Sequence, residues 1–108
     1  MKVKVSEKET QKLIIEYLKA TRQFFWRNNS GAMMGSYKGK SRLMRFGDVG
    51  SPDIFVVRNG QIIGIEVKSS IGKQSDNQKE WQKRFEKAGG IYILTNSYES
   101  CVSNLKRL

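Results

Sequence analysis

The sequence predicts a single α/β domain whose elements follow the order α-β-β-β-α-β-α. Three observations predict it. Helically spaced apolar residues alternate with short strand-like runs, an Asn59-Gly60 pair joins two of those runs, and no linker or repeat divides the 108 residues. A chain of this length is enough for one hydrophobic core. We therefore expect residues 1–108 to form one domain.

The first element is a helix predicted from Glu7 to Thr21. Ile14 and Leu18 recur at helical spacing within it. Ser6 is a suitable N-cap, and Glu9 stands three residues later, where a capping box places its acid. These signals agree on where the helix begins and which face it buries.

A strand and a long loop are expected next. The run Phe24–Arg27 is rich in aromatic residues, which favours a strand. From Asn28 to Gly50 the chain carries five glycines and shows no periodicity. We expect a long, mobile, basic loop there, with a short strand near Leu43–Phe46. Basic residues interleaved with aromatic ones suit contact with nucleic acid, and the alternative is an insertion without a function.

A β-hairpin is predicted between Asp53 and Lys68. Asp53–Val57 and Gln61–Lys68 are its strands, and Asn59-Gly60 suits a type I′ turn, which needs positive φ at both central residues. The odd-numbered residues of the second strand are apolar from position 63 to 67. Glu66 and Lys68 therefore share the opposite face.

The remaining elements are a helix, a strand and a short final helix. Ser75 opens the helix, with Gln78 at its capping-box position, and Gly89-Gly90 ends it. Trp81 and Phe85 of this helix are expected in the core. A strand is expected at Ile91–Leu94. Either Asn96 or Ser97 then caps the last helix.

Composition narrows the classes of function. The net charge of +10, from 20 Lys and Arg against 10 Asp and Glu, favours a polyanionic partner such as nucleic acid over an anionic membrane or simple solubility. No apolar run approaches the length of a membrane span, and the N-terminus lacks a signal peptide's apolar core. Histidine is absent and Cys101 is the one cysteine, which excludes a Cys/His zinc site, an internal disulfide and a histidine base.

The hairpin carries the candidate chemistry. Because its strands run antiparallel, Asp53 at the start of one lies beside Glu66 near the end of the other. Two carboxylates suit Mg²⁺, with the Val67 carbonyl as a further ligand. Lys68 returns to the same side, where it could orient the attacking water, assist its deprotonation or stabilise charge on the phosphate. The alternatives are a turn role for Asp53 and a solvated strand face for Glu66 and Lys68.

These motifs resemble a known nuclease family. Pro52-Asp53 followed by Glu66-Val67-Lys68 resembles the PD-(D/E)XK signature. More narrowly, Gly50–Ile54, Ile65–Lys68, Ser75-x-x-Gln78 with Trp81, and Gly89-Gly90 together resemble the VRR-NUC domain, in the small stand-alone form found in phages and prophages.

The resemblance implies a restriction-endonuclease-like core, with a mixed central β-sheet flanked by helices. It implies Mg²⁺ or Mn²⁺ held by Asp53, Glu66 and the Val67 carbonyl, with Lys68 catalytic. Gln78 is implied to act near the metal or the scissile phosphate, although its capping box is a good structural alternative.

The family also places an acidic residue on the first helix. Glu7 best matches the family spacing and is the expected metal ligand. Glu9 is the next candidate, and Glu16 is expected at the surface.

The expected function is a structure-specific DNA endonuclease similar to a Holliday junction resolvase, working as a homodimer in the cytoplasm of a bacterial cell. A nicking or restriction-type nuclease on duplex or flap DNA and a non-catalytic DNA-binding module are the alternatives. The candidate DNA contacts are Arg27, Lys38, Lys40, Arg42, Arg45 and Lys73.

Overall fold

The computed structural model describes residues 5–28, 31–37, 40–46 and 48–108, and in 31–37 and 40–46 it describes the backbone alone. Helices and strands alternate along this described chain. Their bounds are Glu7–Ala20 for α1, Phe24–Arg27 for β1, Gly31–Tyr37 for β2, Lys40–Phe46 for β3, Ile54–Arg58 for β4, Gln61–Val67 for β5, Asp76–Lys87 for α2, Ile91–Thr95 for β6 and Tyr98–Lys106 for α3.

The central sheet has the strand order β1-β4-β5-β6. β4 pairs antiparallel with both β1 and β5, whereas β5 pairs parallel with β6. The parallel step requires a crossover, which α2 provides between β5 and β6. The sheet is therefore mixed, and the expected α/β class and α-β-β-β-α-β-α order are confirmed for this sheet and its helices.

One face of the sheet carries the hydrophobic core. Ile14 and Leu18 of α1 lie one helical turn apart and are fully buried, as are Cys101 and Leu105 of α3. These helices cover the fully buried isoleucines and valines of β4 and β5. Each such side chain contributes about 1.5–3 kcal/mol through burial. Ser6 caps α1 as expected, accepting a hydrogen bond from the Glu9 N–H at 3.1 Å.

The opposite face is covered more lightly, by α2. Its expected capping box is present, with reciprocal bonds between Ser75 and Gln78. Trp81 and Phe85 were expected in the core, but they are half-buried against Phe55, at ring-centroid distances of 5.9 and 6.1 Å. Because most of α2 is polar, it shields this face of the sheet without forming a second closed core.

The predicted long loop between Asn28 and Gly50 is corrected by the structure. β2 and β3 form a separate antiparallel two-stranded sheet, with Gly31 opposite Phe46 and Tyr37 opposite Lys40. The glycines of β2 and the lack of alternating apolar residues hid this pairing from a pattern-based prediction. Within this segment, the expected short strand near Leu43–Phe46 is confirmed as part of β3.

The Asn59-Gly60 turn has the predicted geometry. The φ angles are 52° at Asn59 and 77° at Gly60, so both central residues adopt the left-handed conformation. The turn fixes the register of β4 against β5, pairing Arg58 with Gln61 and Ile54 with Ile65. This register decides which side chains meet at the far end of the hairpin.

Gly50 allows the loop before β4 to approach α2 closely. Its φ is +87°, and a Cβ there would lie 2.4 Å from the carbonyl oxygen of Asn77, in the first turn of α2. Because that atom belongs to the backbone, relief would require the loop or the helix to move. We expect Gly50→Ala to lower the free energy of unfolding by about 2–4 kcal/mol, measured by urea denaturation.

Gly60→Ala is the matched control for this prediction. Gly60 also has a positive φ of +77°, but no described atom lies within 4 Å of the position that an alanine Cβ would occupy. Gly60→Ala should therefore lower the free energy of unfolding by the backbone strain alone, about 1 kcal/mol. Equal losses in the two variants would contradict the close approach of Gly50 to α2.

Candidate functional site

Asp53 is fixed by backbone hydrogen bonds on both sides. Its N–H donates to the Ile65 carbonyl at 3.0 Å, and its carbonyl accepts from the Asn28 N–H at 2.8 Å. These bonds continue the pairing of β4 with its two neighbours by one residue. The preceding Pro52 is buried, which further fixes the path of the chain into the strand. Asp53 is thus held as part of the sheet, although it lies one residue before β4.

The hairpin register brings Asp53 and Glu66 together. Ile54 pairs with Ile65, so continuing the register by one residue places Asp53 opposite Glu66 on the same face of the sheet. The carboxylate of Asp53 turns toward this partner strand. Its Oδ2 accepts a hydrogen bond from the Val67 N–H at 2.8 Å. The two acids therefore converge, as predicted, where β4 begins and β5 ends. We call this end of the sheet, with Asp53, Glu66 and Lys68, the edge.

Glu66 is a buried carboxylate with only part of its hydrogen-bonding capacity used. Gln78 Nε2 donates to Glu66 Oε1 at 2.9 Å, and Lys68 Nζ lies 3.6 Å from the same oxygen. Glu66 Oε2 is also buried, and it has no hydrogen-bond partner among the described residues. A buried carboxylate oxygen without a hydrogen-bond partner costs folding free energy, which makes this atom a candidate ligand for a cation.

The electrostatics of the edge disfavour two negative charges. Burial, followed by repulsion from Asp53, raises the pKa of Glu66 from 4.5 to about 8, although Lys68 opposes the shift. Burial also raises the pKa of Asp53, against the hydrogen bond from Val67 and the charge of Lys68. One lysine is therefore insufficient to hold both carboxylates ionised near neutral pH. A further cation at the edge would do so.

The edge offers the donors that a hard divalent cation takes. Within the described residues, no group of three or more His, Cys, Asp or Glu side chains is arranged as a metal site. Mg²⁺ does not require one, since it is commonly bound by one or two carboxylates and keeps several waters. The edge offers such a ligand set in the carboxylates of Asp53 and Glu66 and the carbonyl of Val67. A bound cation would also give the buried Glu66 Oε2 a partner, which it lacks among the described residues.

The three candidate acids of α1 differ in position. Glu7 Oε1 accepts a hydrogen bond from the Ser69 N–H at 2.9 Å, so α1 is tied to the residue that follows Lys68. Glu7 is also close enough for its charge to add to the factors that raise the pKa of Asp53 and Glu66, after burial. Glu9 and Glu16 are exposed. Among these acids, Glu7 is the one beside the edge.

The predicted DNA contacts fall in different parts of the chain. Arg27 is exposed at the end of β1, paired with Ile54 and hence beside Asp53. Lys73 is exposed in the loop after Lys68. Lys38 lies outside the described residues. The backbone places Lys40, Arg42 and Arg45 on β3, whose side chains are not described.

A polar network behind Asp53 was missed by sequence reasoning. Asn28 Nδ2 donates to Ser51 Oγ at 2.7 Å and to the Pro52 carbonyl at 2.9 Å. Trp81 Nε1 donates to Asp48 Oδ2 at 2.8 Å, which joins α2 to the same loop. A single Asn after an aromatic strand carries no pattern of its own. Only the pairing of β1 with β4 shows that Asn28 holds the loop that presents Asp53.

A solved structure described as a VRR_NUC domain is similar to this chain. The two superpose with a TM-score of 0.65 at 23% sequence identity, over 94% of this chain and 97% of the other. No family model matches the sequence. No curated protein matches it either. In the part of the chain that the structure describes, no helix is long and apolar enough to span a membrane.

This similarity bears on the fold that the motifs led us to expect. It extends over nearly the full length of both chains, so it includes the central sheet and its flanking helices. The chain has the fold of a VRR_NUC domain.

Proposed function

We propose that this chain is a divalent-metal-dependent DNA endonuclease of the PD-(D/E)XK type, which hydrolyses a phosphodiester bond with a metal-activated water. The observation that carries the proposal is the sheet edge where Asp53 and Glu66 face each other with Lys68 3.6 Å from Glu66. The VRR_NUC fold and the net charge of +10 support it, since a basic nuclease attracts a polyanionic substrate.

Asp53, Glu66 and the Val67 carbonyl would hold Mg²⁺ or Mn²⁺, with Glu7 beside them. The ion supplies a water of lowered pKa and neutralises charge on the phosphate when it is bound. The protein's part is to keep its ligands in place. The Val67 N–H orients Asp53, and Gln78 Nε2 orients Glu66, so neither carboxylate has to reorganise before binding.

Lys68 has the position of a group that stabilises charge on the reacting phosphate. It lies on the same face as Glu66, and its backbone is held by a hydrogen bond from its N–H to the Thr95 carbonyl at 2.8 Å. With a cation neutralising Glu66, the ammonium group can turn to the phosphate. There it would orient the attacking water and offset the negative charge that grows during hydrolysis.

The preferred substrate in this proposal is branched DNA, a four-way junction above all, cut by a homodimer. Two copies related by a two-fold axis would present two sites to two symmetric strands. A nicking or restriction-type nuclease on duplex or flap DNA is the second candidate. Under either, the chain acts in the cytoplasm of a bacterial cell, encoded by a phage or prophage. A module that binds DNA without cutting it is the third, and the unpaired buried oxygen of Glu66 weighs against it.

A panel of labelled DNA substrates separates these candidates. Four-way junction, flap, linear duplex and single strand are incubated with the protein and Mg²⁺ or Mn²⁺, and the products are compared on a denaturing gel. Paired symmetric nicks in the junction alone support a resolvase. Cuts in flap or duplex support the second candidate, and failure to cut any of the four with either metal supports the binding module.

Gln78 allows its capping role to be separated from its contact with Glu66. Its Oε1 accepts from the Ser75 N–H at 2.9 Å, while its Nε2 donates to Glu66. Gln78→Glu keeps the acceptor for the cap but sets a carboxylate against Glu66. We expect cleavage to fall by about 10–100-fold, because the partner that orients a metal ligand is lost.

Ser75→Ala is the control for Gln78→Glu. It removes the hydroxyl that caps the Gln78 N–H and should lower stability by about 1 kcal/mol, with cleavage retained. Thermal unfolding and initial rates measured on both variants complete the comparison. If Gln78→Glu cuts DNA at the wild-type rate, Gln78 serves the helix cap alone.

A further inference from the structure

A cavity of about 440 Å³ opens beside the proposed catalytic edge. The loop that follows β5 forms one wall, the C-terminal end of β6 forms the floor, and the first turns of α2 and α3 close the sides. Lys68 lines this cavity and also lies 3.6 Å from Glu66. The cavity is thus adjacent to the two carboxylates but is not formed by them.

The lining of this cavity is cationic. Lys68, Lys73 and Lys79 contribute to it, and the described residues that line it include no aspartate or glutamate. The other polar groups are serine hydroxyls and carboxamides, among them Ser100 and Asn96. Lysines attract a phosphate, and hydroxyl and carboxamide groups can donate to or accept from a sugar or a base edge.

One apolar residue of the lining, Leu94, connects the cavity with the face of the sheet that carries Glu66. Leu94 lines the cavity, is 46% exposed, and pairs in register with Glu66 of the neighbouring strand. Register partners in a parallel pair lie on the same face of the sheet. A DNA strand whose phosphate lies at Glu66 and which runs toward β6 would place its next nucleotide over Leu94, where an apolar side chain can contact a base.

We propose that this cavity holds one unpaired nucleotide of the cleaved strand, next to the scissile phosphate. Its volume is within the lower part of the range for small-molecule sites, which suits a single nucleotide better than a base pair with its backbones. This inference rests on the proposed nuclease function and specifies its substrate. The enzyme selects DNA in which a nucleotide beside the cut can leave the duplex, as at a branch, flap or gap.

Binding of thymidine 5′-monophosphate to the metal-free protein tests the cavity without relying on cleavage. The expected result is a set of amide chemical-shift changes centred on Ser69, Leu94 and Asn96, with weaker binding of thymidine and of inorganic phosphate. Ser70→Glu adds a negative charge to the exposed rim and should weaken nucleotide binding about 5–10-fold. Ser103→Glu adds the same charge to an exposed position of α3 outside the lining, and should leave binding unchanged.

The same pair of variants tests the role in substrate choice. Relative to Ser103→Glu, Ser70→Glu should cut a duplex with a single-nucleotide flap more slowly. Suppose that the wild type cuts DNA, but that the nucleotide binds elsewhere or that both variants weaken nucleotide binding equally. The cavity assignment is then overturned, while the nuclease proposal is retained. If the nucleotide binds in the cavity but no DNA is cut with either metal, the nuclease proposal falls and with it the cavity's role as a substrate pocket.

Discussion

Replacing Lys68 with alanine is expected to reduce DNA cleavage by about 10²–10⁴-fold while DNA affinity changes no more than for the loss of any one surface charge. Lys68 Nζ lies 3.6 Å from Glu66 Oε1, and its removal takes away the group proposed to stabilise the reacting phosphate. Single-turnover rates and filter binding, measured on the same preparation, separate the two effects.

Lys83→Ala is the matched control for this change. Lys83 is an exposed lysine of α2, so its loss lowers the net charge of +10 by the same amount at a distance from the edge. It should reproduce the small change in affinity and leave the rate intact. Wild-type cleavage by Lys68→Ala would remove Lys68 from the mechanism.

Asp53→Asn is expected to reduce cleavage at least as strongly as Lys68→Ala. In the wild type the Val67 N–H donates to Asp53 Oδ2 at 2.8 Å. The Oδ1 atom of an asparagine can accept the same hydrogen bond, so the local fold is preserved. What is lost is a charged metal ligand. Cleavage retained by both variants would sink the assignment of the site.

Glu66→Gln is expected to abolish cleavage and to make the metal-free protein more stable at alkaline pH. In the folded wild type, burial and the neighbouring Asp53 raise the pKa of Glu66 from 4.5 to about 8. The folded protein therefore binds more protons than the unfolded chain between these values. The contribution of protonated Glu66 to the free energy of unfolding is fully present below pH 4.5 and is lost as the pH rises through about 8. This contribution is on the order of 3–5 kcal/mol.

A glutamine at position 66 removes this dependence and keeps the hydrogen bond, since its amide oxygen can accept from Gln78 Nε2. Urea unfolding in chelator at pH 5 and pH 9 measures the effect. Glu80→Gln, at an exposed position of α2, is the control and should follow the wild-type curve. A wild-type free energy of unfolding that does not decrease between these pH values would show that Glu66 is not held under electrostatic strain.

The hairpin from Asp53 to Val67 could be predicted from sequence because its signals are local. Asn59-Gly60 specifies the turn, the turn specifies the register, and the register places Asp53 opposite Glu66. The capping box of Ser75 and Gln78 is equally local. These few residues contain most of the proposed site.

Other parts of the site depend on contacts between distant segments. Asn28 reaches Ser51 and Pro52 only because β1 pairs with β4, and the bond between Glu7 and the Ser69 N–H depends on how α1 packs against the sheet. The β2–β3 pairing was missed for a different reason. β2 contains two glycines and neither strand shows alternating apolar residues, so no period-two pattern distinguishes them from a loop.

Cleavage with and without a divalent metal tests the central proposal most directly. Wild-type protein is freed of metal with a chelator, mixed with labelled four-way junction and flap DNA, and then supplied with Mg²⁺ or Mn²⁺ in excess of the chelator. We expect no cleavage before the metal is added, internal cuts afterwards, and none at either stage with Asp53→Asn. Cleavage in the chelator, or equal cleavage by Asp53→Asn, would contradict a metal-dependent nuclease at the Asp53–Glu66 edge.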